Sequence, residues 1–178
     1  MKRGYTVDHY RRLIERIRER MPEAAIATDV IVGFPGESEA QFQNTYNLLA
    51  ELKLDVAHLA RYSPRAGTLS ARQMPNDVPE DEKWRRFRAL EELQERIAGE
   101  INASYVERST KVLFEEAVRG RWRGRTPTNK LVFVESSSDL RGRTLPVRIT
   151  WAGAWSMRGK LDESVETQNK DCVLEAVA

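Results

Sequence analysis

The chain has 178 residues, of which 40% are hydrophobic and 31% charged, a composition typical of a globular protein with enough apolar material for a core. No stretch approaches the ~20 apolar residues that a membrane-spanning helix needs, and the basic N-terminus lacks the apolar centre of an export signal. The single cysteine, Cys172, excludes a disulfide framework and cannot by itself hold an iron–sulfur cluster or a structural zinc. These features predict a cytoplasmic protein.

The first part of the chain has the pattern of a helix followed by a strand. Residues 7–21 place apolar side chains at helical spacing behind a possible N-cap, Thr6, and Pro22 ends the helix. Residues 25–32 form an almost continuous apolar run, which predicts a strand that is buried on both faces.

A second helix and a second strand follow. Ser38 and Gln41 have the spacing of a capping box, and the helix after them carries apolar side chains on one face. Residues 55–62 have the pattern of a strand. Strand, helix and strand in close succession predict a parallel βαβ unit with a right-handed crossover.

The pattern changes in the second half of the chain. A polar loop is predicted over residues 63–78, and a long helix begins at Pro79. Short β-rich runs then follow and are separated by turn-forming residues, which predicts a small barrel; the runs are 111–118, 130–134 and 145–151. The tail after Leu161 is acidic and is expected to be partly disordered.

Charge is unevenly distributed along the chain. Residues 107–160 contain 12 Lys and Arg against 5 Asp and Glu, a net charge of +7, while the remainder carries −5. Such a segment is typical of a surface that meets a polyanion, although an Arg-rich solvated face has the same composition.

Two loops follow the predicted strands, at the edge where parallel sheets bind ligands. The first, GFPGE at 33–37, has two glycines that allow close backbone approach, and the helix behind it begins with unpaired N–H groups. The second, YSPRAGT at 62–68, offers hydroxyls and a cation. Both loops could equally be ordinary strand-to-helix turns.

Polar residues inside the predicted strands have two interpretations. Asp29, next to Thr28 in a strand expected to be buried, needs a hydrogen bond or a charged partner. It therefore serves a ligand or pairs with an arginine from a neighbouring strand. His58 in the next strand is interpreted as a structural imidazole rather than a base.

The basic segment is richest in arginine at residues 119–130. Arginine side chains suit phosphate groups, and Trp122 could stack on a base. Because cations, an aromatic residue and a small barrel coincide here, the sequence favours RNA binding over a solvated face. Trp151 and Trp155 are expected in the barrel core.

These motifs together resemble those of one family. MKRGY at 1–5, TDVIVGFPGE at 28–37 and YSPRAGT at 62–68 resemble the second half of the catalytic barrel of radical S-adenosylmethionine methylthiotransferases. GRTPTNK at 124–130 and VRITWAGAWSMRG at 147–159 resemble the RNA-binding TRAM domain of those enzymes. Within the family, three features resemble the sequences of the members that modify tRNA: the arginine of YSPRAGT, the RTPTNK run and the AWS run.

The resemblance implies a fold and a reaction. The fold is α/β: a half TIM-like radical barrel with parallel strands (1–106), an antiparallel OB-like TRAM barrel (107–161) and an acidic tail (162–178). The complete enzyme would add a methylthio group to C2 of isopentenyl-adenosine next to the anticodon, using S-adenosylmethionine and two 4Fe–4S clusters. The alternatives are a methylthiotransferase acting on ribosomal protein S12 and a non-catalytic RNA-binding module.

The resemblance also implies residue roles. Residues expected at the cofactor and nucleoside site are Arg3, Thr28, Asp29, Gly33, Phe34, Gly36, Glu37, Ser63 and Arg65. Residues expected to bind the anticodon stem-loop of a tRNA, mainly through phosphates, are Arg121, Trp122, Arg123, Arg125, Thr126, Asn129, Lys130 and Arg148. Asn129 could instead only shape a turn.

No catalytic or metal-binding residue is expected in this sequence. The family's CxxxCxxC triad and its three further cysteines are absent, so the chain is expected to be a fragment without a cluster. It would be inactive alone, would require the N-terminal half of the enzyme as a partner and would retain RNA binding.

Overall fold

The structure is a computed structural model and describes residues 4–162. Arg3, the acidic tail after Asp162 and Cys172 lie outside the described residues. The chain divides within one helix into two compact units, the first ending at Ile97 and the second starting at Ala98. No helix in the described part is long and apolar enough to cross a membrane.

The first unit alternates helices and strands as the sequence predicts. The elements are α1 (Val7–Arg20), β1 (Ala27–Val32), α2 (Glu39–Leu52), β2 (Val56–Arg61), α3 (Leu69–Gln73) and α4 (Glu80–Ala103), whose last residues belong to the second unit. β1 and β2 are parallel, with Ala27 paired to Val56 and Val32 to Arg61. The predicted βαβ unit is therefore confirmed, whereas the predicted loop 63–78 contains the short helix α3.

Local signals explain where these helices begin. The Thr6 hydroxyl accepts a hydrogen bond from the His9 amide at the start of α1. At α2 the capping box is complete, because Ser38 accepts from the Gln41 amide and the Gln41 side chain accepts from the Ser38 amide. Both caps satisfy amides that the helix itself leaves without partners.

The expectation that β1 is buried on both faces is wrong. Its side chains alternate between exposed and more buried positions, and only Val32 is fully buried. The sheet has two strands, and its covered face contacts α1 through Tyr10, whose hydroxyl lies 3.4 Å from the Thr28 hydroxyl. The opposite face is exposed at Asp29 and Ile31.

The second unit contains a closed barrel of five strands. They are β3 (Ser109–Val118), β4 (Arg121–Arg125), β5 (Leu131–Val134), β6 (Thr144–Ala152) and β7 (Met157–Leu161), in the order β3-β4-β5-β7-β6 around the barrel. The core is made of side chains that point inward from all five strands, with Leu140 from the β5–β6 loop: Val112, Phe114, Trp122, Val132, Val134, Leu140, Val147, Ile149 and Met157.

The predicted barrel is confirmed, but it is not wholly antiparallel. β5 and β7 pair in parallel, while the other four neighbouring pairs are antiparallel. An odd number of strands cannot alternate in direction around a closed ring, so one pair must be parallel. The three predicted β-rich runs correspond to β3, β5 and β6, and the sequence did not predict β4 and β7.

Candidate functional site

An open pocket of about 660 Å³ lies where β1 and β2 end. Among the predicted cofactor-binding residues that the structure describes, Phe34, Ser63 and Arg65 line it, whereas Thr28, Asp29, Gly33, Gly36 and Glu37 do not. The rings of Phe34 and Tyr62 meet edge to face at 5.2 Å and join the two predicted loops. The remaining lining residues are Ile31, Ala60, Arg61, Tyr62, Thr68, Leu69, Ser70 and Met74.

Hydrogen bonds to nearby side chains stabilise the GFPGE turn. The Glu37 carboxylate accepts hydrogen bonds from the Gly33 amide at 2.6 Å and from Arg86 at 2.7 Å. The Gly36 amide donates to Asp77 at 2.8 Å. Side chains thus occupy these two amides of the turn. At the start of α2, where the sequence predicted unpaired N–H groups, the capping box pairs the amides of Ser38 and Gln41.

A glycine is required at position 33 both by its backbone conformation and by the nearby side chain of Lys83. Its φ is +69°, in the left-handed region, and a Cβ there would overlap the Lys83 side chain, with Cδ at 3.0 Å. Lys83 is fully buried, and its ammonium donates to Asn76 and Glu80, both at 2.7 Å. The hydrogen bond from Lys83 holds the pKa of Glu80 below its usual value.

Thr28 and Asp29 point to opposite faces of the sheet. Thr28 is half-buried beside Tyr10, while Asp29 is exposed next to His58, its register partner on β2. The premise that Asp29 is a buried carboxylate is wrong, because no third strand or helix covers this face within the described residues. His58 is likewise exposed and is not a packed structural imidazole.

Arginine and tryptophan side chains next to the pocket were not predicted from the sequence. The Arg61 guanidinium lies 3.6 Å from the centre of the Trp84 ring and donates to Glu80 at 3.2 Å. The Trp84 side chain is 42% exposed. A tryptophan flanked by Arg85, Arg86 and Arg88 in the sequence was the available signal.

The predicted RNA-binding arginines lie on the outside of the barrel and are held by carboxylates. Arg121 pairs with Glu135 at 3.1 Å, Arg123 with Glu116, Arg125 with Glu115 at 3.4 Å and Arg148 with Glu107 at 2.9 Å. The hydrogen bond from Arg148 to Glu107 raises the pKa of the arginine. The basic surface is therefore an ion-paired surface at these four positions.

The RTPTNK motif forms the turn between β4 and β5. The Thr126 amide donates to the Lys130 carbonyl and the Lys130 amide to the Thr126 hydroxyl. Asn129 has φ +61° and its side chain accepts from Arg125 at 3.0 Å. Asparagine tolerates this left-handed conformation better than most residues, so the turn-shaping interpretation accounts for Asn129. The Lys130 ammonium lies 5.9 Å from the Tyr105 ring centre.

The tryptophans of the barrel occupy the reverse of their expected positions. Trp122, proposed to stack on a base, is 9% exposed and belongs to the core. Trp151 and Trp155, expected in the core, are 45% and 62% exposed. The register decides this, since Trp122 points inward next to Gly124 while the intervening Arg123 points outward.

Comparison with known proteins finds relatives that match almost the whole length of the chain. It is 46% identical, over 96% of its length, to the tRNA-2-methylthio-N(6)-dimethylallyladenosine synthase of Chloroflexus aurantiacus. Proteins of the same name from Dehalococcoides mccartyi and Roseiflexus sp. are 44% and 47% identical over 94% of the chain. No family model matches.

One solved structure, a multidomain protein with nucleic acid binding domains from Streptococcus pneumoniae, covers 33% of this chain and 23% of its own. It shares 15% identity at a TM-score of 0.29, which carries no argument.

The chain spans only part of each synthase that it matches, namely 38%, 40% and 36% of their lengths. The resemblance to the methylthiotransferases is nevertheless confirmed over almost the whole chain, which is similar to a segment of just over a third of a tRNA-2-methylthio-N(6)-dimethylallyladenosine synthase.

Proposed function

We propose that the chain is the C-terminal part of an enzyme that adds a methylthio group to C2 of isopentenyl-adenosine next to the anticodon of a tRNA. The observation that carries this proposal is the 44–47% identity, over 94% or more of the chain, to three synthases named for that product. Their names disfavour both a ribosomal-protein substrate and a module without catalytic descent.

The first unit fits one section of a radical TIM-like barrel. β1, α2 and β2 make a parallel strand–helix–strand repeat, the unit from which such barrels are built. The exposed face with Asp29 and His58 would then point to the barrel interior, and the pocket would lie at the strand ends where these barrels bind ligands.

S-adenosylmethionine fits the residues of the pocket. Phe34 and Tyr62 form an aromatic wall for an adenine ring, Ser63 offers a hydroxyl, and the Arg65 guanidinium is exposed for a carboxylate. When bound, the cofactor supplies the hydrogen-abstracting chemistry at adenine C2. The chain's own contribution is to position the adenosine of the cofactor and the adenosine of the RNA.

The 4Fe–4S clusters do not fit this chain. A cluster needs several thiolates, and the sequence has one cysteine. Residues 4–162 contain no group of three His, Cys, Asp or Glu that could hold a metal. We assign both clusters to an N-terminal half of the enzyme and derive no step through them.

The barrel would supply RNA affinity. Its sequence segment carries a net charge of +7, and the RTPTNK turn presents Arg125 and Lys130 at one end of β4 and β5. Phosphate contacts of this kind hold an RNA without reading its sequence.

The test is binding of the chain to a fluorescently labelled anticodon stem-loop across a salt series. We expect affinity that falls steeply with salt, and an Arg125→Ala/Lys130→Ala variant with a log–log slope reduced by about 2. Arg141→Ala/Arg143→Ala, which removes the same charge from the β5–β6 loop, is the control. Absence of binding at low salt contradicts the proposal, as does an unchanged slope in the first variant.

A further inference from the structure

A row of alternating cationic and aromatic side chains crosses the outside of the barrel. The strand register places Arg123 beside Phe133, Phe133 beside Arg158, and Arg158 beside Trp151, on β4, β5, β7 and β6 in turn. On β4, β5 and β7 the neighbours of these residues, such as Trp122 and Met157, point into the core. On β6 the register shift between Ile149 and Trp151 leaves both Thr150 and Trp151 exposed. All four side chains of the row therefore share the outer surface.

The Trp151–Arg158 pair is held in a fixed arrangement. The Arg158 guanidinium lies 4.6 Å from the centre of the Trp151 ring. A Cβ on Gly153 would lie 2.6 Å from the outer edge of that ring, so the glycine lets the indole rest against the backbone. Trp151 remains 45% exposed. The pair is a preformed platform with an aromatic plane and a guanidinium plane.

The charges at this end of the row differ from those of the predicted RNA-binding arginines. Arg121, Arg123, Arg125 and Arg148 each pair with a glutamate. Within residues 4–162, no carboxylate lies at salt-bridge distance from Arg158, and the same holds for its strand neighbour Lys160, which follows two residues later on the outer face. No carboxylate of the described residues therefore forms a salt bridge that an incoming anion would have to replace at these two cations.

A hollow adjoins the platform. It measures about 560 Å³ and is lined by these two cations, by Phe133 and Thr150, and by the ion pair of Arg121 and Glu135, whose carboxylate is held by the arginine. An exposed stacking plane, a hydrogen-bonding side chain and two cations are the components with which proteins hold an unpaired nucleotide.

We propose that Trp151 and Arg158, with Lys160, form a binding site for one unpaired nucleotide of an RNA. The base stacks on the indole or on the guanidinium plane, and its phosphate meets Lys160. This proposal rests on the RNA binding proposed above and adds the residues that contact a base. It differs from the RTPTNK turn, which is at the other end of the β4–β5 pair and whose contacts are with phosphates.

The experiment compares the 178-residue chain with single variants in binding to a labelled oligouridylate and to the anticodon stem-loop. We expect Trp151→Ala to weaken oligouridylate binding about ten-fold, the usual effect of losing one stacked base, without changing the salt slope. Trp151→Phe, which keeps a stacking ring, should recover most of the affinity. Arg158→Ala should also weaken binding, and Lys160→Ala, which removes the cation that meets the phosphate, should lower the slope by about 1.

Two controls separate this site from the general charge of the barrel. Arg141→Ala removes an exposed cation from the β5–β6 loop and should leave oligouridylate affinity within about two-fold. Thermal unfolding of each variant establishes that the barrel is intact. Wild-type affinity in a folded Trp151→Ala or Arg158→Ala variant overturns this site and leaves the proposed function standing. A wild-type chain that binds neither RNA overturns both.

Discussion

Arg86 is the residue on which the turn after β1 depends. It is 4% exposed, and its guanidinium donates to the Glu37 carbonyl at 2.9 Å, to the Glu37 carboxylate at 2.7 Å and to Glu82 at 2.7 Å. Hydrogen bonds from Arg85 and Arg86 lower the pKa of Glu82 to about 2. A buried cation of this kind is stable because all of its partners are present.

Replacing Arg86 with alanine should destabilise the first unit by about 3–5 kcal/mol, because Glu37 would keep a buried charge without its partner. Urea-induced unfolding measures the change. Arg85→Ala is the matched control, since Arg85 pairs with Glu39 and Glu82 at an exposed position and should cost about 1 kcal/mol or less. Equal effects of the two substitutions would contradict the role given to Arg86.

Single positions differ in how far the sequence could predict them. The two loops were predicted at one edge, and Phe34, Ser63 and Arg65 do meet there. The exposure of Asp29 could not be read from an apolar run, because it depends on how many strands cover the sheet. Trp122 and Trp151 exchanged roles because one residue of register moves a strand side chain from the surface to the core.

At the level of elements, glycines allow the barrel strands to approach each other. A Cβ on Gly159 in β7 would overlap the Val147 side chain and lie 2.6 Å from the Arg148 carbonyl oxygen; Gly124 in β4 is confined in the same way by Leu113 and Val112. Backbone atoms cannot move aside as a flexible side chain can, so these positions exclude any larger residue.

Gly159→Ala should therefore destabilise the barrel by about 1–3 kcal/mol, the usual cost of overpacking. At Gly99 in α4, a Cβ would have no atom within 4 Å, and φ is not positive, so Gly99→Ala should instead stabilise by about 0.5–1 kcal/mol. Thermal unfolding of both variants gives the comparison. A neutral Gly159→Ala would mean that β6 and β7 are further apart than the structure has them.

The two strands that were not predicted from the sequence share a physical cause. β4, with the sequence RWRGR, combines three arginines with a glycine, and β7, with the sequence MRGKL, has the same character. These two strands lack the β-branched residues that are typical of strands. They form because they pair with neighbouring strands of the barrel. The longer helices were predictable because their apolar faces and caps are local, as the complete capping box at Ser38 shows. The five-residue α3 is too short to show an apolar face in the sequence.

At the scale of the whole molecule, the chain combines a ligand-pocket unit with a barrel unit. It matches 36–40% of the length of the synthases it resembles, and one cysteine cannot replace the thiolates of a cluster. On the proposed function, RNA binding and cluster chemistry reside in different parts of the enzyme and can be studied separately.

The chain alone should therefore assemble no iron–sulfur cluster. After anaerobic incubation with iron, sulfide and a thiol reductant, followed by desalting, we expect no visible iron–sulfur absorption and no stoichiometric iron. The same chain should still bind the anticodon stem-loop. A protein that retains a cluster after this treatment would contradict the assignment of both clusters to the N-terminal half.

The glutamates beside the barrel arginines have a consequence for selectivity. Glu115 lies between Arg123 and Arg125, at 3.9 Å and 3.4 Å, and thus acts as a tethered competitor for any phosphate that approaches them. An isolated phosphate or a mononucleotide must displace a carboxylate that is always present, whereas a polynucleotide presents many phosphates at once. On the proposed function, the barrel therefore binds small anions weakly and still binds a long RNA.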